Sequence, residues 1–600
     1  MTRITKSLRQ RIEQLGRLPL WRVLFNSSWS ASLMAITSGV LGGFSFPGGL
    51  LPAAWVLVYI PLFIGLDIQL RRLSPQARRW PWVLWLCWQA GLFQGILSGA
   101  WVVNTAHVYG HLPLWMATGV SWLGLGSLFG VELFFFLGLP FLLFWQRPLW
   151  GFFILPLWSA VFQAWVPRFF YWTYGQHLYP VPVFAQMADL VGSAGLNFWI
   201  IGLHLLGYGL WRRAFFPQEI QGQWIRKGAL GITSLFVVSA VYGGVRMAMI
   251  ESATESGAPI QIAAVQPNFS LGYLASNPAL SHSDRRSNLN ALLADTQQAL
   301  EELTRDDSAP ILTVWPESVF PIPYFRDDRI RQAIEWWVQE RDMHLVLTST
   351  TETRTQQGGR PRRNVFGSAL HIRPDGNPPG IYNKIALIPF GETIPFADWI
   401  PGYRAILKAW IPQISEFAAG EEHTVFSVSP EIRVAPMICF DAVRDGVALG
   451  MTRNGANFGL VLANLAWFGE TNISELFEFF VQFRAIENRI PILLLSQNGT
   501  SVLFDGNGNY ASRRLEVFQQ DRLAIQTRIP DTFSFFAQFG WLIYTLYGAA
   551  LLVSLYAYRY GLPQSGLPHH IASKPSQRKP IATPGKKAKP RKKPSPGKKK

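Results

Sequence analysis

Long apolar runs are the feature that most constrains what this chain can fold into. A helix that crosses a bilayer needs about 20 mostly apolar residues, because lipid offers the backbone polar groups no other partner. With 49% hydrophobic residues and 25 tryptophans, the chain is richer in such runs than soluble proteins are. The sequence predicts eight transmembrane helices, at residues 29–46, 50–69, 82–104, 115–145, 149–166, 187–211, 228–250 and 538–559.

The short loops between these runs predict the orientation of the spans, since Lys and Arg are enriched in cytoplasmic loops. The N-terminal segment 1–28 carries six of them, and loops 70–81 and 212–227 carry four each. Loop 105–114 has none and loop 167–186 has only Arg168. A seven-span domain at 29–250 with a cytoplasmic N-terminus therefore delivers the following residues to the outer face, and the span at 538–559 returns the chain to the cytoplasm.

Most of the formal charge of +17 lies in the C-terminal segment 561–600, which holds twelve Lys and Arg and no acidic residue. This Pro-, Ser- and Lys-rich composition cannot bury a core and predicts a disordered cytoplasmic tail. A solvated tail close to anionic lipid explains the charge better than nucleic-acid binding does. No nucleic-acid partner is predicted.

Between residues 257 and 533 short apolar runs alternate with amphipathic ones, a pattern typical of an α/β domain with its own core. The two cysteines, Cys87 and Cys439, provide no disulfide framework. The two cysteines form no Cys-x-x-Cys pair and the ten histidines are scattered along the chain, so the sequence predicts neither a metal nor a cofactor.

Cys439 ends an apolar run, PMICF, at a place where strands commonly lead into functional loops. A cysteine nucleophile needs a base for its proton and a cation for the oxyanion that forms at the attacked carbonyl. Glu317, in WPES, and Lys384, before IALIPF, could supply these two groups. Taken alone, these residues leave a buried, inert cysteine as the favoured interpretation, since free cysteine is among the most buried residue types.

A family resemblance reverses that balance. The domain resembles the nitrilase, or carbon–nitrogen hydrolase, superfamily in the order and spacing of WPES, NKIALIPFGETIPF, PMICFD, LANLAWFG and QFRAIENRIPILLLSQNGTS. The resemblance implies an α-β-β-α sandwich with Glu317, Lys384 and Cys439 as the catalytic residues. It also matches the superfamily's second glutamate to Glu392.

The chain as a whole resembles the apolipoprotein N-acyltransferase family. It has several spans before such a domain and one after it, and the domain contains PFGE-x-x-PF and AWFG. This resemblance implies a monomer in the bacterial inner membrane, with the catalytic domain on the periplasmic face. It implies transfer of an acyl chain from a membrane phospholipid, through a cysteine thioester, to the N-terminal amine of a diacylglyceryl-cysteine lipoprotein. Trp467 and Phe468 are expected to line the substrate site by family position, although core packing explains aromatic residues equally well.

Three positions depart from the family pattern, one of them Gly367, which stands in Gly-Ser-Ala where Asn-Ser-Ala is usual. Asp441 follows the nucleophile where a longer glutamate is usual, and Leu465 replaces an aspartate. Asp441 is expected to support the loop that carries the nucleophile. Two alternative functions remain open from the sequence: a membrane-anchored hydrolase in which water resolves the thioester, and a non-catalytic membrane scaffold.

Overall fold

The computed structural model describes residues 27–108, 110–168, 171–269, 282–304, 306, 308–320, 323–357, 360–397, 399–410 and 414–560. The basic N-terminal segment and the basic C-terminal tail lie outside these residues. One compact unit extends to Leu555 and contains both a helical part and an α/β domain. A second unit begins at Tyr556.

The helical part is built from apolar helices. Its helices are α1 Ser28–Phe44, α2 Ile60–Arg72, α3 Trp80–Ser98, α4 Ala100–Val108, α5 Leu114–Leu133, α6 Leu139–Phe144, α7 Pro148–Trp165, α8 Pro182–Ala185, α9 Ala188–Gly195, α10 Asn197–Phe215 and α11 Gly222–Glu255. A π-helical turn, Phe134–Gly138, joins α5 to α6, and a 3-10 turn, Pro52–Val56, precedes α2.

All eight predicted runs are helical, but the count of eight spans is not confirmed. Within the described residues, four helices are long and apolar enough to cross a membrane, or six if each of two bent pairs is one span. The pairs are α3 with α4, bent by 65°, and α9 with α10, bent by 57°. The predicted spans 29–46 and 149–166 are too short by this measure, since α1 has 17 residues and the apolar part of α7 is Leu149–Trp165.

The α/β domain contains two mixed sheets. Its strands are β1 Ala258–Gln266, β2 Ile311–Val314, β3 Met343–Gln357, β4 Arg360–Ile372, β5 Gly380–Asn383, β6 Phe426–Ser427, β7 Arg433–Ile438, β8 Phe458–Ala463, β9 Ile492–Ser496, β10 Val502–Phe504 and β11 Asp521–Ile529. The first sheet has the order β11-β1-β2-β3-β4-β5 and the second β10-β9-β8-β7-β6.

The helices of this domain are α12 His282–Glu302, α13 Asp328–Glu340, α14 Tyr403–Trp410, α15 Asp445–Arg453 and α16 Ile473–Asn488, and α17 Phe535–Tyr560 follows it. The sheets pack face to face, since β1 contacts β9 and β4 contacts β7. Helices α12 and α13 cover the first sheet, and α15 and α16 cover the second. The expected α-β-β-α sandwich is thus the fold of this domain.

The parallel strands decide where functional residues gather. Strands β1, β2 and β3 run parallel in one sheet, and β7, β8 and β9 in the other. The carboxyl ends of parallel strands share one edge of a sheet, where loops are free to carry function. Glu317 follows β2 by three residues, and Cys439 directly follows β7. This edge is the candidate site.

Candidate active site

An ion cluster of one lysine and two glutamates lies at this edge. Lys384 follows β5, and its Nζ lies 2.7 Å from Oε1 of Glu392 and 3.4 Å from Oε1 of Glu317. The lysine is 1% exposed. Burial alone would lower the pKa of this ammonium, but the carboxylates of Glu317 and Glu392 outweigh burial and raise it. Lys384 is therefore held as a cation inside the protein.

The two glutamates are fixed by backbone donors as well as by the lysine. The N–H of Ile388 donates to Oε2 of Glu392 at 2.9 Å, and the N–H of Asn464 donates to Oε2 of Glu317 at 3.0 Å. Burial and the nearby charge of Glu392 raise the pKa of Glu317, whereas Lys384 and a hydrogen bond with the Cys439 thiol lower it. The net shift is upward, so Glu317 is a better proton acceptor than an exposed glutamate.

Cys439 is the first residue of a 3-10 turn, Cys439–Val443, and its φ of 48° is left-handed. This conformation costs a residue with a Cβ about 1–3 kcal/mol, and such strain is commonly retained at functional sites. The side chain is 1% exposed. Burial and the charge of Glu317 raise the pKa of the thiol well above its ordinary value, against the opposing effect of Lys384. The resting group is a neutral thiol next to a carboxylate and an ammonium.

Asp441 connects the turn that carries Cys439 to the loop that carries Lys384. Its Oδ2 accepts from the N–H of Ile438 at 2.9 Å and from the Tyr382 hydroxyl at 2.8 Å. Its Oδ1 accepts from the N–H of Ala386 at 2.7 Å and from that of Ile385 at 3.2 Å. Burial raises the pKa of this carboxyl to about 6, although these donors and Lys384 oppose the rise. The shorter side chain thus reaches both loops.

The structure brings together Glu317, Lys384, Glu392, Cys439 and Asp441, and their catalytic and supporting roles stay a prediction. It adds two residues, Tyr382 through its hydroxyl and Asn464 through its backbone N–H. The Asn464 N–H also forms a hydrogen bond with the Cys439 thiol, which partly opposes the rise that burial causes in the pKa of the thiol. Asn464 stands inside LANLAWFG and Tyr382 directly precedes NKIALIPFGETIPF, but nothing in the sequence assigned either residue a role.

Trp467 and Phe468 lie in a 3-10 turn, Ala466–Phe468, that contacts α4 of the helical part. The Thr105 hydroxyl donates to the carbonyl of Trp467 at 3.3 Å, and the rings of Phe468 and Trp101 meet edge to face at 5.6 Å. Asn472, just beyond, donates through Nδ2 to the carbonyl of Pro47 at 3.2 Å. The loop after Asn464 is therefore shared with the helical part, and lining of a substrate site by the two aromatics stays a prediction.

Leu465 is buried and packs against the loop that follows β9. It is 2% exposed, and its Cδ1 lies 2.6 Å from where a Cβ on Gly499 would stand, so the two residues are in tight contact. The substitution of leucine for the usual aspartate is consistent with this packing.

We expect Leu465→Asp to lower the free energy of unfolding by at least about 2 kcal/mol, because an unpaired carboxylate would be buried there. Leu465→Met keeps the volume and should cost less than about 1.5 kcal/mol. Thermal unfolding of both variants in detergent measures the difference. Equal unfolding midpoints for the aspartate variant and the unchanged protein would contradict this account of the surroundings of Leu465.

Comparison with known proteins identifies the class first. Residues 248–520 match the carbon-nitrogen hydrolase family. The match covers the α/β sandwich up to β11 and includes Glu317, Lys384 and Cys439. The chain therefore contains a carbon–nitrogen hydrolase domain.

The similarity to full-length relatives then extends across the helical part. The apolipoprotein N-acyltransferase of Geobacter metallireducens is 26% identical over 85% of this chain and 91% of its own. The enzyme of Azotobacter vinelandii is 27% identical over 89% of this chain and 95% of its own. The enzyme of Allorhizobium ampelinum is 26% identical over 82% of this chain and 89% of its own. The chain is a homologue of the apolipoprotein N-acyltransferases along most of its length.

Proposed function

We propose that this protein is an apolipoprotein N-acyltransferase. It takes a fatty acyl chain from a membrane phospholipid and transfers it to the N-terminal amine of a diacylglyceryl-cysteine lipoprotein. The observation that carries the proposal is the Glu317–Lys384–Cys439 cluster, with its lysine and cysteine buried, at the sheet edge that contacts the apolar helices. Both substrates are lipids, so a nucleophile at this junction is where they can reach it.

In the first step Cys439 attacks the ester carbonyl of the phospholipid. Because the pKa of the thiol is raised, the proton must be taken by a base, and Glu317 is the carboxylate that acts on it. Lys384 stabilises the oxyanion of the tetrahedral intermediate. The ester C–O bond then breaks, the lysophospholipid leaves with the proton from Glu317, and the acyl group remains on Sγ as a thioester.

In the second step the α-amine of the lipoprotein attacks the thioester carbonyl. Glu317 accepts the proton that the amine loses, and the C–S bond breaks as the amide forms. The proton returns to the cysteine sulfur, which restores the starting thiol. Glu392 keeps Lys384 in place and charged during both steps, and Asp441 holds the turn that carries Cys439.

We propose eight spans with both termini in the cytoplasm and the α/β domain on the periplasmic face of the inner membrane. Each bent pair then counts as one span, and α1 and α7 are short spans. The loops that contact the α/β domain support this orientation. Pro47 contacts Asn472, Thr105 contacts Trp467, and Arg444 lies 4.9 Å over the ring of Tyr171. All three loops are ones that the charge pattern predicts to be outside.

A two-stage labelling experiment tests the function. The purified full-length protein is incubated with a phospholipid labelled in its acyl chain, and a hydroxylamine-sensitive label is expected on Cys439. A diacylglyceryl-cysteine peptide is then added, and the label is expected to move to its amine. Cys439→Ala should abolish both stages, whereas Cys87→Ala, which changes the other cysteine, should retain them.

Other outcomes of this experiment contradict the proposal in distinguishable ways. Loss of the label to water in the presence of the peptide would identify a membrane-anchored hydrolase. Transfer to the amine by the Cys439→Ala protein would exclude the thioester mechanism. Absence of label with every phospholipid class would favour the scaffold.

A further inference from the structure

The β3–β4 hairpin extends well beyond the sheet that it belongs to. Strand β2 pairs with β3 only as far as Val346, and β5 pairs with β4 only from Ser368. Strands β3 and β4 nevertheless remain paired out to Gln357 and Arg360. Residues 351–357 and 360–366 therefore form a two-stranded ribbon, about 23 Å long at 3.3 Å per residue.

This ribbon leaves the sheet at the edge that carries the active site. Strand β3 is parallel to β2 and continues past the level at which Glu317 follows β2. The base of the ribbon adjoins the site directly, because the N–H of Lys384 donates to the carbonyl of Gly367 at 2.9 Å. Contacts at the same edge join the Trp467 loop to α4. The ribbon thus projects on the side where the apolar helices lie.

A segment with exposed apolar side chains is hydrogen-bonded to the ribbon at one end. The N–H of Ala418 donates to the ribbon carbonyl of Val365 at 2.8 Å, and the N–H of Phe417 donates to the carbonyl of Glu392 at 2.9 Å. Between Glu392 and these residues, Trp399 is 80% exposed and Ile406 is 60% exposed. Large apolar side chains so exposed are typical of surfaces that meet protein or membrane partners.

The charge of the ribbon suits an anionic partner. It carries four arginines, Arg354, Arg360, Arg362 and Arg363, and one acidic residue, Glu352. Arg354 is exposed and stands directly opposite Arg363 in the strand register. Like charges in that arrangement destabilise a hairpin, and Glu352, which pairs with Arg363, is the ribbon's own carboxylate. An anionic surface would offset the remaining repulsion.

We infer that this ribbon binds the anionic phospholipid headgroups of the outer leaflet. Guanidinium groups bind phosphate with two parallel hydrogen bonds, and basic residues near a bilayer are attracted by its negative surface potential. The contact holds the catalytic edge at the depth of the donor ester. The inference rests on the proposed function for its orientation in the membrane.

The test measures binding without catalysis, so its failure is distinct from a failure of acyl transfer. A Cys87→Ala, Cys439→Ala protein receives a single cysteine at Gln357, at the end of β3, which is labelled with a polarity-sensitive fluorophore. The full chain is placed in nanodiscs of phosphatidylcholine with increasing phosphatidylglycerol. We expect a blue shift of the emission that grows with phosphatidylglycerol and disappears at high salt.

Two sets of variants make the result specific. Arg354→Gln, Arg360→Gln and Arg362→Gln together should abolish the shift, and the same three changes to lysine should retain most of it. A control with Arg341→Gln, Arg373→Gln and Arg433→Gln removes equal charge at the opposite edge of β3, β4 and β7 and should leave the shift unchanged. An emission that ignores phosphatidylglycerol, or a shift that survives the three glutamine changes, would overturn the inference.

Discussion

Replacing Lys384 with methionine is expected to reduce acylation of Cys439 by at least about 100-fold, since it removes the cation proposed to stabilise the oxyanion. It should also lower the free energy of unfolding by about 3 kcal/mol, because Glu317 and Glu392, which are largely shielded from water, would lose their buried cation. Single-turnover labelling and unfolding in detergent measure the two effects.

Two companion variants separate the effects of this change. Adding Glu392→Gln to Lys384→Met removes one of the two carboxylates that have lost their cation. The free energy of unfolding should then partly recover, while the rate of acylation should stay low. Lys408→Met removes an exposed lysine that pairs with Glu416 and should change stability by less than about 1 kcal/mol. Acylation by Lys384→Met at the unchanged rate would exclude the proposed role of the lysine.

Changing Asp441 is expected to have the second large effect, and the residue usual in the family should not be tolerated either. Asp441→Ala leaves the N–H groups of Ile438 and Ala386 without their acceptor, which should cost at least about 3 kcal/mol. Asp441→Glu adds a methylene at a site that is 0% exposed, and should cost about 1–3 kcal/mol.

Both Asp441 variants should also slow acylation, because the same carboxylate holds the turn of Cys439 against the loop of Lys384. Unfolding midpoints and single-turnover rates of the two variants check this. Asp328→Glu, the same change at an exposed aspartate, should stay within about 0.5 kcal/mol of the unchanged protein. A glutamate variant that is as stable and as fast as the original would show that the loop adapts freely at this position.

The sequence predicted the helices of the membrane part but not their shapes. Apolar length and composition are enough to identify a helix in lipid, so every predicted run is helical. Bends depend on single residues and on neighbouring helices. Gly99 separates α3 from α4, and Gly192 adopts a φ of 67° within α9, and neither break interrupts the apolar pattern. Hydropathy alone therefore overestimates how many of the runs are straight, full-length spans.

The side chains of the site were predictable and its backbone donors were not. Glu317, Lys384 and Cys439 carry distinctive chemistry in recognisable motifs, and the structure places them together. The N–H of Asn464 is chemically the same as that of any other residue, and only the fold brings it to Glu317. The environment of Leu465 was also hidden, since its contact with Gly499 joins the ends of two different strands.

The contact between α4 and the Trp467 loop changes how the membrane part should be regarded. Three residues after the Asn464 N–H that holds Glu317, the carbonyl of Trp467 is held by Thr105 of the helical part. A soluble fragment consisting of the sandwich alone would lose this hydrogen bond and the support that it gives to the loop after Asn464. We therefore expect the helices to support the active site as well as to anchor the protein, and kinetic measurements should use the intact chain.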